Sequence, residues 1–348
     1  MEENKGHKRR PRYAGKYPKK FEEKYKEHQP EKYADTIEHV IAKGSTPAGT
    51  HISIMVDEIL EVLKIRPGER GLDCTFGYGG HARRMLEALE GQGHLTALDV
   101  DPIESAKSRE RLLKAGFGPD LFCVELTNFA NIDRVAAQYG AFDFVLADLG
   151  VSSMQIDDPR RGFSYKTDGP LDLRMDPTSG ITAAERLKEV DEAELAGMLE
   201  ENADEPYAAE IAASVRSHLK AGQPIETTLQ LKAVIERALR FLPEKEKKEA
   251  IKKSCARTFQ ALRIDINHEY EALYTLLEKL PEVLHPGGRV AILTFHSGED
   301  RLVKRAFKEG LKRGLYQDAA RDVIRPSAAE CMRNPRSKST KLRWAVRA

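Results

Sequence analysis

The sequence predicts an α/β protein in which a parallel sheet has helices on both faces and carries a helical insertion between its fourth and fifth strands. Short apolar strand candidates alternate with helical segments as far as residue 148, and this pattern is typical of a parallel sheet. From Ala183 to about Glu278 almost only helix-forming residues follow, and a strand pattern returns after Pro286. An insertion explains this interruption without a second sheet.

The first predicted helix covers Val56–Leu63, where apolar residues recur at helical spacing before Pro67 and Gly68. Five strands are then predicted at Gly71–Thr75, His94–Asp99, Asp120–Val124, Phe142–Asp148 and Arg289–Phe295. Helices are predicted between the early strands at His81–Glu90, Ile103–Ala115 and Ile132–Tyr139. The last predicted strand is Leu342–Val346.

Charge is distributed unevenly along the chain. Residues 1–26 carry a net charge of +6 and residues 301–348 carry +10, which leaves about −15 for the middle of a chain whose total is +1. Basic ends indicate either a polyanionic partner or a solvated surface. Because residues 1–35 also lack apolar periodicity, they are predicted to form a flexible basic arm. We expect one discontinuous domain at 36–155 and 256–348, with the helical insertion at 156–255.

The composition excludes several classes of protein. No stretch approaches the ~18–20 uncharged apolar residues of a membrane helix, and the charged N-terminus lacks the apolar core of a secretory signal. The four cysteines lie far apart without a CxxC pair, which argues against a zinc site and suits a reducing compartment. We therefore expect a cytoplasmic protein with no membrane partner and no metal.

A glycine-rich turn, Asp73–Ala82, follows the first strand and opens a helix. Its glycines allow a tight turn and a close approach of the backbone to a ligand. Asp99 ends the next strand, where an acid can accept hydrogen bonds from both ribose hydroxyls of an adenosine group. The pattern predicts a nucleoside cofactor but leaves a dinucleotide and S-adenosylmethionine (SAM) both open, because Gly77 and Gly79 also fit the dinucleotide fingerprint.

Three further segments are expected near that cofactor. Asp148 ends the fourth strand and is therefore directed at the gap between cofactor and substrate. The loop at 161–177 is dense in Arg, Asp and aromatic residues, and loops of this length are usually functional. His296 follows the fifth strand on the same edge of the sheet. In addition, the closely spaced cations at 333–343 suit phosphate contacts.

Long specific runs, DLGVSS, RGFSY, DGPLDLRMDP and RTFQALRI, join the motifs described above, and together they extend over nearly everything after residue 50. With these runs the chain resembles the MraW/RsmH family, bacterial SAM-dependent methyltransferases that methylate N4 of a cytosine in small-subunit ribosomal RNA. The resemblance implies a Rossmann-like class I methyltransferase with a helical insertion domain that binds RNA, SAM as cofactor, 16S ribosomal RNA as partner, and a possible homodimer. By motif position it implies cofactor contacts at Gly79, Gly80, His81, Asp99, Phe129, Asp148 and Gln155.

Two catalytic candidates follow from this resemblance. Asp148 is the first choice as acceptor for the hydrogens of the cytosine amine, and His296 is the second. The chain departs from the family where FHSLED becomes FHSGED, with Gly298 in place of Leu, and in its arm of about fifty residues before His51. These departures suggest a divergent or second copy. The alternatives are a nicotinamide oxidoreductase and a non-catalytic ribosome-assembly factor on the same scaffold.

Overall fold

A seven-stranded sheet forms the centre of the computed structural model, which describes residues 53–348. Strands β1 to β5 run parallel, β7 is antiparallel to β5, and β6 is antiparallel to β7. The order across the sheet is β3-β2-β1-β4-β5-β7-β6. The strands are β1 Arg70–Asp73, β2 His94–Asp99, β3 Phe122–Leu126, β4 Phe142–Asp148, β5 Leu284–Thr294, β6 Tyr316–Ala319 and β7 Lys341–Arg347. The predicted α/β class is confirmed.

Helices precede, connect and interrupt these strands. Around the sheet they are α1 Val56–Leu63, α2 Gly80–Ala88, α3 Pro102–Lys114, α4 Ile132–Tyr139 and α5 Ser153–Asp157. Between β4 and β5 follow α6 Ala183–Glu189, α7 Glu192–Ala203, α8 Ala208–Lys220, α9 Thr228–Ala238, α10 Glu244–Ile266 and α11 Glu269–Val283. The last two are α12 Ser297–Lys312 and α13 Ala328–Arg333.

Most predicted elements lie where the sequence placed them. The predicted helices at Val56–Leu63 and Ile132–Tyr139 and the predicted strands at His94–Asp99 and Phe142–Asp148 have the observed bounds. β5 begins at Leu284, earlier than predicted, because its first residues continue through the Pro-Gly-Gly turn signal. β6 was missed, since its four residues, YQDA, carry no apolar alternation.

Each face of the sheet has its own apolar core. One face packs against α1, α2 and α3 through Ile59, Met85 and Leu112. The other face packs against α4, α11 and α12 through residues that include Leu276 and Phe307. Burial on both faces explains why the parallel strands read as continuous apolar runs.

Helices α6 to α10 have a third core, formed by residues that include Ile211, Leu231 and Leu262. Residues Ser53–Ala348 together form one compact unit. The boundaries expected at 155 and 256 stay a prediction, and the arm expected at 1–35 and the ordered start at 36 lie outside the described residues. No helix in the described part of the chain is long and apolar enough to cross a membrane.

The order of the strands reverses between β1 and β4, which are neighbours in the sheet but are separated by two strands in the chain. At such a switch point the connections leave in opposite directions and open a crevice beyond the carboxyl ends of the strands. The residues that end β1, β2 and β4 are Asp73, Asp99 and Asp148. The fold therefore brings three carboxyl groups to one edge.

Candidate active site

Asp73, Asp99 and Asp148 are held at this edge by backbone contacts. Asp73 Oδ1 accepts a hydrogen bond from the Thr75 amide at 3.0 Å, whereas its Oδ2 is buried with no hydrogen-bond partner among the described residues. Asp99 accepts from the amides of Gly77 and Asp101 at 2.7 and 2.9 Å. The amide of Asp148 donates to Thr75 Oγ1 at 2.7 Å, which ties β4 to the turn after β1.

These carboxyl groups hold protons more tightly than usual. Burial raises the pKa of Asp73 to about 7 and that of Asp99 to about 6. Burial, with the nearby negative charge of Glu299, raises the pKa of Asp148 to about 7. About a quarter of the Asp148 side chain is exposed, but its Oδ1 is enclosed and has no hydrogen-bond partner among the described residues. None of the three forms an ion pair with a described lysine or arginine.

The glycine turn lies beside these acids. Gly77 has a φ of +46° and Gly79 a φ of +70°, so both adopt the left-handed region that favours glycine. A Cβ on Gly77 would point into open space, with only the Thr75 carbonyl within 4 Å, at 3.8 Å. Gly79 is the N-cap of α2, Gly80 is its first residue, and no side chain caps this helix end. The first amides of α2 are thus free of any side-chain cap and suited to an anion such as a carboxylate.

His81, on the first turn of α2, joins the turn to Asp148. Its Nε2 lies 2.9 Å from the Ile54 carbonyl oxygen. Its Nδ1 lies 3.5 Å from Asp148 Oδ2. Because a carbonyl can only accept, Nε2 is the nitrogen that carries hydrogen in the neutral ring. Burial lowers the pKa of His81, which favours that neutral form.

Gln155, expected to contact the cofactor, is fixed at both ends of its amide. Its Oε1 accepts from the Ser152 amide at 2.9 Å in the capping box of α5, and its Nε2 donates to Asp101 Oδ2 at 2.9 Å. Asp101 is almost fully buried and also caps α3 through the amides of Ile103 and Glu104.

Asp101 also forms an ion pair with Arg161, from Oδ2 to Nη1 at 2.7 Å. Arg161 Nη2 in turn donates to the carbonyls of Arg174 and Met175. Asn267 holds the same segment, accepting from the Met175 amide at 2.7 Å and donating to the Leu173 carbonyl at 2.8 Å. The loop at 161–177, expected to be functional, is thereby tied to Asp101, two residues beyond the end of β2.

Phe129 lies in a short 3-10 turn three residues beyond Leu126, the β3 residue that pairs with Asp99. It is partly buried and packs against the core cluster that contains residues of α11. This position puts it at the edge of the sheet next to Asp99, as the motif comparison implied.

His296, the second catalytic candidate, lies between β5 and α12 and faces inward. Its Nε2 is 3.1 Å from Glu299 Oε1, and its ring lies against that of Tyr270 at 5.9 Å between centroids. Glu299 is buried and accepts from the Phe295 amide at 2.8 Å. Burial alone would raise the pKa of Glu299, but its contacts with His296 and with that amide hold it below its usual value. Glu299 is therefore an anion near Asp148.

The structure gives a reason for the glycine in FHSGED. A Cβ built on Gly298 would overlap the Tyr270 hydroxyl, which donates to the Asn202 carbonyl at 3.2 Å. The tyrosine occupies the space into which a leucine at 298 would extend. The departure from the family pattern at 298 is thus coupled to the residue at 270.

The cations at 333–343 divide into two groups. Lys341 and Arg343 pair with Asp300 at 3.1 and 2.7 Å, and Arg336 pairs with Asp157 at 2.7 Å. These three serve internal contacts, contrary to the expectation that the whole run faces phosphate. Arg333 and Lys338 are exposed and form no ion pair with another described residue.

The predicted residues therefore fall into three sets. Gly79, Gly80, His81, Asp99 and Asp148 meet at the switch point, and Gln155 and Phe129 lie beside it, whereas His296 packs behind it. Sequence reasoning missed Asp73 and Asp101 as site residues, although Asp73 ends a strand as Asp99 and Asp148 do.

No cluster of three or more His, Cys, Asp or Glu suited to a metal occurs among residues 53–348.

The arrangement fits a cationic nucleoside better than an anionic one. The orphaned oxygen Asp73 Oδ2 can accept a hydrogen bond from an ammonium group, and Asp99 retains lone pairs for ribose hydroxyls. A pyrophosphate would instead face three carboxyl groups that have no paired lysine or arginine. The geometry thus favours SAM, which carries sulfonium and ammonium charges, over a dinucleotide.

Comparison with known proteins gives a consistent result. The family model described as the MraW methylase family matches residues 48–348. The chain is 64% identical over 348 residues to ribosomal RNA small subunit methyltransferase H 1 of Agathobacter rectalis, covering 100% of both chains. It is 66% identical over 342 residues to the protein of the same name from Lachnoclostridium phytofermentans, covering 98% of this chain and 93% of that one. With methyltransferase H 2 of Alkaliphilus metalliredigens it shares 57% over 340 residues, 98% of this chain and 97% of that one.

Proposed function

The chain belongs to the MraW methylase family, and from this premise we propose that it methylates the N4 amino group of a cytosine in 16S ribosomal RNA. The predicted activity, a SAM-dependent ribosomal RNA methyltransferase, is confirmed by the family match and by full-length similarity to proteins with that name. The observation that carries the proposal is the set of three strand-end carboxyl groups beside an open glycine turn. The cytosine, its N4 atom and the small-subunit target are the proposed parts.

When bound, SAM supplies a methyl group on a positively charged sulfur. This sulfur is an activated leaving group. The protein then has to bind, align and exclude water. We assign the ribose to Asp99, the ammonium group to Asp73 and the carboxylate to the uncapped amides of α2. Phe129 would pack beside the adenine. Gln155 would position Asp101, the N-cap of α3, through its hydrogen bond to Asp101 Oδ2.

We assign Asp148 to accept a hydrogen bond from the N4 amino group of the target cytosine. The lone pair of cytosine N4 is delocalised into the ring, so an acceptor for the N4 hydrogens is needed to localise it for attack. Asp148 Oδ1 is enclosed and has no hydrogen-bond partner among the described residues, and Asp148 ends the strand next to β1 at the switch point. We place the N4 hydrogen bond on this oxygen. His296 acts indirectly: its contact keeps Glu299 ionised, and the negative charge of Glu299 raises the pKa of Asp148.

The RNA surface is proposed to flank α5. Arg336 Nη1 donates to the Ser153 carbonyl at 3.2 Å, so the segment with exposed Arg333 and Lys338 is fixed beside the helix that follows Asp148. Lys166, in the loop at 161–177, is also exposed and forms no ion pair with a described residue. Cations in these positions suit phosphate contacts, and the target base must leave its stack to reach Asp148.

The helical region at 156–255 is proposed as the RNA-binding domain that continues this surface. A homodimer and a cytoplasmic location stay predictions, and analytical ultracentrifugation and cell fractionation test them.

Transfer from methyl-labelled SAM to small ribosomal subunits tests the proposed function. Subunits from a strain that lacks the gene are incubated with the purified protein, and the RNA is digested to nucleosides for mass spectrometry. We expect labelled N4-methylcytidine, and none with Asp148→Asn. SAM binding without transfer to RNA would instead identify a non-catalytic assembly factor.

A further inference from the structure

The contact between His81 and Asp148 has an unusual donor and acceptor balance. His81 Nε2 must donate to the Ile54 carbonyl, so Nδ1 of the neutral ring is an acceptor. That nitrogen lies 3.5 Å from Asp148 Oδ2, which is also an acceptor when Asp148 is ionised. Two lone pairs would then face each other in a largely buried site. A single proton between Oδ2 and Nδ1 removes this conflict.

The surrounding charges favour retention of that proton. Acidic groups approach the pair from several elements, whereas the buried guanidinium of Arg263 near Gly150 is already paired with Glu269 at 2.7 Å. The acids that lie near the pair are Asp73 at the end of β1, Glu299 on α12 and Glu330 on α13. A negative surrounding disfavours loss of the last proton.

We propose that His81 is a positioning residue for methyl transfer: it shares one proton with Asp148 Oδ2 and thereby fixes Oδ1 toward the attacking amine. The inference rests on the proposed function, in which Asp148 Oδ1 accepts a hydrogen bond from the cytosine N4 amino group. The proton that the amine must release passes from nitrogen to Asp148 Oδ1, while the shared proton moves from Oδ2 to His81 Nδ1, so the carboxyl group ends with one proton and the imidazole ring becomes cationic. The Ile54 carbonyl sets the tautomer of His81 and so orients the pair from outside the sheet.

Two isosteric variants separate this role from a structural one. His81→Asn puts an amide donor near the Nδ1 position, facing Asp148, but abandons Ile54. His81→Gln puts its amide near the Nε2 position and keeps the tie to Ile54, but loses the contact with Asp148. The exposed His285 on β5 provides the control His285→Asn.

The readouts are SAM affinity by calorimetry and the single-turnover rate at saturating RNA against pH. We expect His81→Gln to lower the rate on the order of 10- to 100-fold while SAM affinity changes far less. His81→Asn should lose less of the rate than His81→Gln. It should also abolish the decline that the wild-type protein shows when the pair loses its proton at alkaline pH. A purely structural role would reverse the order of the two variants and overturn the proposal.

A measurement without methyl transfer separates this proposal from the proposed function. In protein with ¹⁵N-labelled histidine, the His81 resonances should show hydrogen on Nε2. Asp148→Asn should lower the pH at which His81 titrates, because the carboxyl partner is gone. An unchanged titration of His81 in Asp148→Asn overturns the shared proton even if RNA is methylated. If the titration of His81 is lowered in Asp148→Asn but the wild-type protein methylates no RNA, the pair is established and only the proposed function is overturned.

Discussion

Acidification should weaken SAM binding, because the carboxyl groups that receive a cationic ligand hold protons near neutral pH. The pKa of Asp73, which we assign to the ammonium group of SAM, is raised to about 7, and that of Asp99, which we assign to the ribose, is raised to about 6. A cation binds the ionised forms, so affinity rises with pH through this range and levels off above it. The α-amino group of SAM stays protonated below a pKa of about 7.7, so it adds little between pH 5.5 and 7.

The size of the effect follows from these values. For a ligand that needs an ionised group, affinity falls by a factor of 1 + 10^(pKa − pH). A group of pKa about 7 gives a factor of about 2 at pH 7 and about 33 at pH 5.5, a loss of about 16-fold. Ionisation of Asp99 adds about 4-fold. We therefore expect SAM to bind at least about 16-fold more weakly at pH 5.5 than at pH 7.

Isothermal titration calorimetry at the two pH values measures this loss directly. Adenosine, which keeps the ribose but lacks the ammonium group, serves as the control ligand and should lose only the roughly 4-fold that Asp99 contributes. The variant Asp73→Asn removes one ionisation and should flatten the curve for SAM. Equal affinity at both pH values, or tighter binding at the lower one, would refute the assignment of these carboxyl groups to the ligand.

Four further predictions concern single regions. Asp99→Ala should weaken SAM binding by about 1–3 kcal/mol in calorimetry, because charge-assisted hydrogen bonds are lost, and an unchanged affinity contradicts its role. Asp148→Asn should reduce turnover far more than SAM affinity; comparable losses would mean that Asp148 binds only the cofactor. Gly298→Leu should destabilise the protein by about 1–3 kcal/mol in urea unfolding, and adding Tyr270→Leu should recover much of that loss; additive losses would exclude the coupling. Deletion of 1–35 should raise the half-saturating RNA concentration and flatten its salt dependence, whereas lower turnover at saturating RNA would indicate a lid.

Much of the fold followed from local sequence patterns. The strands at His94–Asp99 and Phe142–Asp148 are apolar runs that end in an acid, and burial on both faces of a parallel sheet produces that signal. β6 has four residues without alternation and forms only because β7 lies beside it. Its formation depends on a neighbour that the local sequence does not contain.

Site residues could be predicted where their position at a strand end fixes where the side chain lies. They could not be predicted where contacts with residues distant in the chain fix it. Asp99 and Asp148 could be placed because the carboxyl ends of parallel strands meet at one edge. The role of Asp101 depends on Arg161, sixty residues away, and the tautomer of His81 depends on Ile54, which precedes α1. His296 follows β5 as expected, yet its contact with Glu299 turns it inward.

Nucleoside analysis of 16S ribosomal RNA from a deletion strain tests the central claim most directly. The strain is compared before and after it receives the wild-type gene or the Asp148→Asn variant. The account predicts that N4-methylcytidine at one position is lost on deletion, returns with the wild-type gene and stays absent with the variant. Unchanged N4-methylcytidine in the deletion strain, with no other modification lost from that RNA, would contradict it.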